Sequence, residues 1–594
     1  MTDTISSNRK IAATVAELPG SAAERFGDAL AARYKVGDEW RELSYAEFGS
    51  AIEQLGLGLI DVGIERGDRV CLLSDTRVEW TLASYAISVA GAVVVPIYPS
   101  SSLQECKWVA SNSEARAIVC ENDDQLAKID PIRAELPELA HTIGIEHGGQ
   151  LTLDSLRERG GARHPAELSA RQAGIAPGDT YTIIYTSGTT GPPKGVVLTH
   201  ANAMAVCRMV QEVEFIRPDE LTYQYLPLAH SFALTAQLAS FDRGSAVVYW
   251  GRDTRQILPE IMETRPTYLP SVPRIFEKLY AAAMKMQEQA GEEERERFRQ
   301  AIKLGVEVRR RRQRGEPVPE EMRRAFEPVD AQIFERVRAL FGGRIRQAVT
   351  GAAPISAEIL EFFYAAGVPV LEGWGMTETV AVGTVATLEH FKFGTVGQPP
   401  PGVEVRIAED GEILVRGPQV FREYWRDPEA TAETLVDGWL YTGDLGELDD
   451  EGYLTITGRK KDIIITAGGK NLTPANIEND LTQSRFISHA VMFGDRKPYP
   501  VALITLDPEE IVPWAREHGL SEDIAELAQA GAVRELVQRE LDRANCNYAQ
   551  VEQIKKFTIL DHDLSVDSGE LTPTLKVKRN VIGERYAGLF ESMY

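Results

Sequence analysis

The stretch Tyr185-Thr186-Ser187-Gly188-Thr189-Thr190-Gly191-Pro192-Pro193-Lys194-Gly195 decides the fold. Before it, Tyr181-Thr182-Ile183-Ile184 is β-branched and aromatic and reads as a strand. After it, Val196-Val197-Leu198-Thr199-His200 reads as a second short strand. Between them lie hydroxyls, glycines and one lysine. Glycines let backbone N–H groups approach an anion closely, hydroxyls donate further hydrogen bonds, and Lys194 adds a point charge. That chemistry suits a polyphosphate. The stretch is not a Walker A loop, because no Gly-Lys-Ser/Thr stands at the required spacing and no helix clearly opens behind it. Composition alone also allows an ordinary Gly/Ser/Thr hairpin tip.

The 594 residues exceed what one hydrophobic core organises, so two or more domains are expected. Hydrophobic residues at 43% and charged residues at 26% are ordinary for a globular protein. A net charge of −24 opposes a nucleic-acid partner, whose phosphates it would repel. Cys71, Cys106, Cys120, Cys207 and Cys546 are scattered without paired spacing, which argues against a disulfide framework or zinc site and for a reducing compartment. The first residues, Met1 to Ser7, hold no apolar signal core. The most apolar run, Ala83 to Tyr98, is broken by Gly91 and Pro96 and is shorter than the roughly 20 residues of a membrane helix. It reads as a buried helix and a strand, and a cytoplasmic protein is expected.

From about residue 40 to 120, helix and strand patterns alternate, which implies a mainly parallel sheet. Phe48, Ile52, Leu55 and Leu59 share one helical face. Arg69–Leu73 and Val93–Ile97 read as strands, with a helix near Trp80 to Val89 between them. A second such run begins with Tyr223–Leu228 and Ala246–Trp250. Residues 275–340 alternate blocks of charge, as in Glu292–Arg297 and Arg309–Arg312, and read as a solvated helical insertion. Residues 400–456 suggest a small β subdomain. The best boundary lies at Gly458-Arg459-Lys460-Lys461-Asp462. The expected architecture is α/β: an N-terminal domain, 1–458, of parallel-sheet subdomains and a β subdomain, then a small mobile α/β domain, 459–594.

The 185–195 string closely resembles the phosphate-binding signature of the adenylate-forming enzymes, which include acyl-CoA synthetases, luciferase and peptide-synthetase adenylation domains. Other segments agree with that resemblance, from about residue 25 to 580. Leu371-Glu372-Gly373-Trp374-Gly375-Met376-Thr377-Glu378-Thr379 follows a strand read at Val368–Leu371, at the end of a sheet where ligands bind in open α/β folds. There Trp374 would stack on adenine, Thr377 would donate to the α-phosphate, and Glu378 is a hard oxygen ligand suited to Mg²⁺. Thr-Glu-Thr capping a helix is the plainer reading. The family usually has tyrosine at position 374, so the stacking face is kept and the hydroxyl lost. Gly351-Ala352-Ala353 resembles one wall of the adenine site, where a flat ring can lie on the backbone; a plain strand–helix turn reads equally well. His230, in Pro227–Phe232, matches the position beside the acyl carboxylate, although a lone histidine among apolar residues is more often core. Asp444 matches the ribose-binding carboxylate, Arg459 a ribose or phosphate contact, and Lys461 the hinge. Gly468, Gly469 and Lys470 match a loop lining the pantetheine tunnel. Lys576 matches the family's catalytic lysine, with Lys578 as the fallback; Leu575 stands where the family commonly has glycine.

The resemblance implies ATP, Mg²⁺ (on Glu378, with Thr186 as second ligand) and coenzyme A. A carboxylate would attack the α-phosphate, pyrophosphate would leave, and a thiol would then displace AMP after the C-terminal domain rotates about Lys461. The 275–340 segment, Ala467–Pro474 and the Lys576 context look most like long-chain fatty acyl-CoA synthetases. Two alternatives stay open: an acyl-AMP ligase serving a separate carrier protein, and a non-catalytic nucleotide-binding scaffold. Chain-length preference and oligomeric state are not legible. Long acyl substrates partition into lipid, which leaves peripheral contact with the inner membrane face open.

Overall fold

The computed structural model describes residues 12–186, 192–288, 291–468, 470–572 and 574–594. Two large sheets form the N-terminal part. One has eight strands in the order Thr384–Val385, Val370–Trp374, Gln347–Thr350, Tyr268–Ser271, Leu221–Gln224, Ala246–Tyr249, Leu30–Val36, Glu39–Ser44. Its interior pairings are parallel and only the two edge strands run antiparallel. The second also has eight strands, with Thr180–Thr186 beside Val93–Ile97 and Lys194–Thr199 one place further out. Val93–Ile97 is buried along its whole length, as expected of a β-branched run in a parallel sheet covered on both faces.

The hydrophobic patterning predicts the helices between these sheets. Ser44 caps Tyr45–Asp61 with Glu47 as its reciprocal partner, and Phe48, Ile52, Leu55 and Leu59 all face the core. Val78–Val89 is buried at every position except Glu79. Among the described residues no helix is long and apolar enough to cross a membrane.

A smaller antiparallel sheet follows, made of Glu404–Ile407, Glu412–Arg416, Trp439–Leu448, Leu435–Val436 and Leu454–Arg459. It is the β subdomain expected over 400–456. Beyond it the chain builds a third core. Strands Ile487–Phe493, Val501–Leu506 and Lys556–Ile559 pack against helices Pro474–Thr482, Pro508–Glu517 and Gly531–Asn545.

Four expectations need correction. His200 is not a strand residue: the second strand ends at Thr199, whose side chain caps a helix running from His200 to Glu212. The Tyr223–Leu228 run is strand only to Gln224, since Pro227 has no N–H for a ladder. The strand read at Val368–Leu371 runs from Val370 to Trp374, so Glu372 to Trp374 belong to it. The charged segment is not simply a solvated insertion. Its helices Pro273–Glu288, Glu292–Gln313 and Glu320–Val329 bury Phe276, Phe298, Val308 and Phe326 against the first sheet's outer helix, Ala357–Ala366.

Because this segment is a wall of the core, Phe334→Ala, at a position 0% exposed, should destabilise the N-terminal part by about 3–5 kcal/mol. Chemical denaturation measures it; an unchanged midpoint would mean the segment is a dispensable appendage.

Candidate functional site

The hairpin Thr180–Thr186/Lys194–Thr199 is antiparallel, with Thr186 opposite Lys194. Its tip, Ser187 to Gly191, lies outside the described residues. Both strands carry β-branched residues buried in the second sheet, so Thr186 and Lys194 are fixed at the sheet's end. Lys194 lies 5.3 Å over the Tyr424 ring and 3.8 Å from Asp427.

Tyr424 comes from a short strand, Glu423–Tyr424, added to the hairpin's outer edge. Its hydroxyl donates to Glu378 Oε1 at 2.7 Å. The Glu378 carbonyl in turn accepts from Phe421 N–H at 2.8 Å. Thr377–Thr379 is a single 3₁₀ turn directly beyond the strand Val370–Trp374 and packs on Lys194–Thr199. The signature hairpin and the Trp-Gly-Met-Thr-Glu turn therefore meet. Gly375 permits the bend: a methyl group there would stand 2.2 Å from the Ala381 carbonyl oxygen. Met376 is half-buried against the core, and Thr377 is buried. Burial raises the pKa of Glu378, and the Tyr424 bond opposes that rise.

This donor set fits a divalent cation. Magnesium is commonly held by one or two carboxylates completed by water and substrate phosphate. Glu378 has one oxygen engaged by Tyr424, and a cation beside it would favour the ionised form that burial disfavours. Among the described residues no cluster of three or more acidic, histidine or cysteine ligands exists, so a dedicated all-protein cage is not what the fold offers.

Trp374 sits at the end of its strand and is 9% exposed. A methyl at Gly383 would lie 2.5 Å from its ring, so the indole is packed closely there. Its N–H donates to Asp444 Oδ2 at 3.0 Å. The indole nitrogen thus supplies a polar contact of its own in place of a tyrosine hydroxyl. Asp444 Oδ1 lies 3.3 Å from Arg459 Nε, and the two residues are register partners on adjacent strands of the small sheet. Burial raises the Asp444 pKa, while Arg459, Trp374 and Lys576 counter it.

The chain Thr350-Gly351-Ala352-Ala353 leaves its strand at the same end as Glu372, which pairs with Thr350. Ala352 adopts φ +69, in the left-handed region. Beside this turn, Gly373 continues the strand, and burial pushes the Glu372 carboxyl up to about 8.

His230 caps the helix Ser231–Arg243, its Nδ1 accepting from Phe232 N–H at 3.2 Å. That bond places the ring proton on Nε2. Burial first, and the Lys576 charge second, lower the His230 pKa to about 4. The ring is neutral at pH 7 and presents an N–H donor.

Lys576 belongs to the C-terminal part. Leu575 N–H donates to Thr572 O and Thr572 N–H to Lys576 O, both at 2.8 Å. This tight turn holds Leu575 at φ +60, in the left-handed region that favours glycine. Lys576 is exposed as a residue, yet surrounding protein and Arg459 lower its pKa, with Asp444 opposing. Its charge acts on both Asp444 and His230.

Asp444 therefore touches Trp374 and Arg459 directly, while Lys576 acts on it and on His230 through its charge. Lys461 lies in the 3₁₀ turn Lys460–Asp462 directly after Arg459. Gly468 and Lys470 lie on the loop before Asn471–Leu472, with Lys470 3.8 Å from Glu552; Gly469 is outside the described residues. Sequence reasoning missed Tyr424, Asp427 and Lys460, which bonds Glu412 at 2.9 Å at the lobe boundary. No local pattern marks any of the three.

Between pH 4.5 and about 8 the folded chain keeps a proton on Glu372 that the unfolded chain has released. Stability from this group is therefore greatest at low pH and falls as pH rises toward 8. Thermal melts should show Glu372→Gln gaining on the wild type progressively over that window; a pH-independent difference would remove Glu372 from the titrating groups.

The chain matches the AMP-binding enzyme model over residues 21–425 and the AMP-binding enzyme C-terminal domain over 461–594. It is 40% identical to long-chain-fatty-acid--CoA ligase FadD15 of Mycobacterium tuberculosis over 93% of this chain and 92% of that protein. It is 31% identical to long-chain-fatty-acid--CoA ligase ACSBG2 of Xenopus laevis, over 98% of this chain and 84% of that one. The fold is similar to ATP-bound MatB from Rhodopseudomonas palustris, with TM-score 0.69 and 25% identity over 96% of this chain and 99% of that chain. With family models matched on both sides of the Arg459 turn, the chain belongs to the AMP-binding, adenylate-forming enzymes.

Proposed function

We propose that this enzyme joins a long-chain fatty acid to coenzyme A through an acyl-adenylate. The observation that carries the reading is the contact of Asp444 with Arg459 and with Trp374, the residue that leads into the Glu378 turn, with the Lys576 charge acting on that carboxylate. Relatives similar along nearly the whole chain are named long-chain-fatty-acid--CoA ligases.

A carboxylate is a poor electrophile. In the first step its oxygen bonds the α-phosphorus of ATP, the bond to the β-phosphate bridging oxygen breaks, and pyrophosphate leaves. Charge spreads over the phosphate oxygens, so positioned cations and N–H donors supply most of the stabilisation. Lys576 and Lys194 supply charge, and Thr186 and Thr377 supply hydroxyls. Asp444, oriented by Trp374 and Arg459, accepts from the ribose hydroxyls. Neutral His230 donates a hydrogen bond from Nε2–H to the acid's carboxylate, keeping its proton, and holds the carboxylate in line. Glu378, with Thr186, would hold Mg²⁺, which screens phosphate charge when bound. In the second step the coenzyme A sulfur bonds the acyl carbon, the bond to the AMP oxygen breaks, and the thiol proton goes to solvent. Gly468, Gly469 and Lys470 are the proposed approach for that thiol, and Lys461 the hinge.

CoA-dependent AMP release should appear with long saturated acids and be weak with acetate. Lys576→Ala should lower adenylate formation, read as fatty-acid-dependent ATP–pyrophosphate exchange, by about 100-fold or more, as for loss of a charge contact made in the transition state. Thiolysis of supplied acyl-adenylate should change far less. Equal loss of both steps would contradict the role of Lys576, and acyl transfer only to a carrier protein would favour an acyl-AMP ligase.

A further inference from the structure

Lys576 stands on a lobe with its own core, so something must fix that lobe over the nucleotide site. Beyond the Arg459–Lys460 turn, whose pairs with Asp444, Asp410 and Glu412 sit at the boundary itself, two of the three described ion pairs across the two parts lie on one helix. Arg274, in the first turn of Pro273–Glu288, donates to Asp507, and Lys278, one turn on, lies 2.6 Å from Glu509. A third contact, Lys578 to Glu105, is looser at 3.8 Å.

The Arg274–Asp507 pair is set apart by its surroundings. The Asp507 side chain is 7% exposed, whereas Glu509 is 73% exposed. Arg274 itself is 38% exposed, so only the carboxylate end of the pair is desolvated; that still leaves it less screened than Lys278–Glu509, in which both side chains are exposed. Asp507 is also held on its own side, since its carboxylate caps Pro508–Glu517 by accepting from Glu509 N–H at 2.9 Å. It directly follows the strand Val501–Leu506. Val501 and Leu503 of that strand share a core with Leu571, and Leu571 bridges Val577, next to Lys576. On the other side, Arg274 begins the helix after Tyr268–Ser271, whose Ser271 is paired with Thr350 at the edge of the proposed adenine wall. Two rigid segments, each ending at the site, are thus tied at one point.

We infer that Arg274 and Asp507 are positioning residues for adenylate formation: their ion pair docks the C-terminal lobe so that Lys576 reaches the nucleotide. This rests on the role of Lys576 proposed above. The pair touches no reacting atom. Its loss should lower the maximal rate of adenylation and leave the KM for ATP little changed, because the nucleotide-binding groups named above, Lys576 apart, remain in place.

The test is ATP–pyrophosphate exchange by the full chain with a long-chain acid, for Arg274→Ala, Asp507→Asn and the double variant, with Lys576→Ala in parallel. Asn keeps a capping acceptor at 507. Each single variant should lose about tenfold in maximal rate, as when one partner of a hydrogen-bonded charge pair with a buried carboxylate is removed. The double variant should lose no more than either single one. Exchanging the charges, Arg274→Asp with Asp507→Arg, should restore part of the rate. Wild-type exchange by folded Arg274→Ala, or additive losses in the double variant, would overturn the inference while leaving Lys576 in its role if Lys576→Ala is inactive. Full exchange by Lys576→Ala would overturn both.

Discussion

The structure depends on a partly buried carboxylate, 18% exposed, that three parts of the chain have to satisfy. Asp444 stands in the small sheet, its Oδ2 accepts from Trp374 of the large parallel sheet, and its Oδ1 faces Arg459 at the lobe boundary. Lys576 adds its field from the far lobe. Burying an ionised carboxylate is costly unless donors and cations surround it. The arrangement that satisfies Asp444 is therefore also the one that assembles the pocket. A ribose would meet a carboxylate already oriented on both oxygens, which is the preorganisation catalysis needs.

The same logic runs on the phosphate side. Glu378 is buried, and Tyr424 donates to one of its oxygens. That tyrosine also lies beneath the Lys194 ammonium. One aromatic ring thus joins a carboxylate suited to a cation and a cation suited to phosphate. Lys194 and Glu378 are held a ring apart rather than paired with each other, with Asp427 at 3.8 Å as the lysine's looser partner, an arrangement suited to a ligand that carries both metal and phosphate.

Much of this was legible because it is local. The hairpin, the Phe48–Leu59 face and the buried strands follow from side-chain period, and the signature strings follow from unusual local composition. Trp374 and Asp444 are 70 positions apart, Glu378 and Tyr424 46, Arg274 and Asp507 233. Nothing in a local pattern selects such partners; sheet order and register do. The charged segment misled for a different reason. Phe298, Ala301 and Val308 form a buried stripe on Glu292–Gln313, but charges outnumber them and dominate a composition-based reading. Spacing, not count, identifies that face.

Leu575 joins local conformation to the lobe-docking argument. A leucine at φ +60 is strained where glycine would not be, and its side chain, 65% exposed, gains little from packing. The turn keeps its shape because Thr572 bonds it through backbone and hydroxyl, the latter accepting from Lys576 N–H at 3.0 Å. Glycine would relieve the strain while enlarging the set of directions in which the lysine can point. A stiffer turn fixes the Lys576 backbone and the direction in which its side chain leaves the lobe, so the ammonium's reach toward Asp444 depends on the lobe's docking angle and on its own four-carbon stem. Rigidity at residue 575 and the ion pair at Arg274 are then two parts of one requirement: a charge delivered from a separate lobe must be fixed both within that lobe and across the gap.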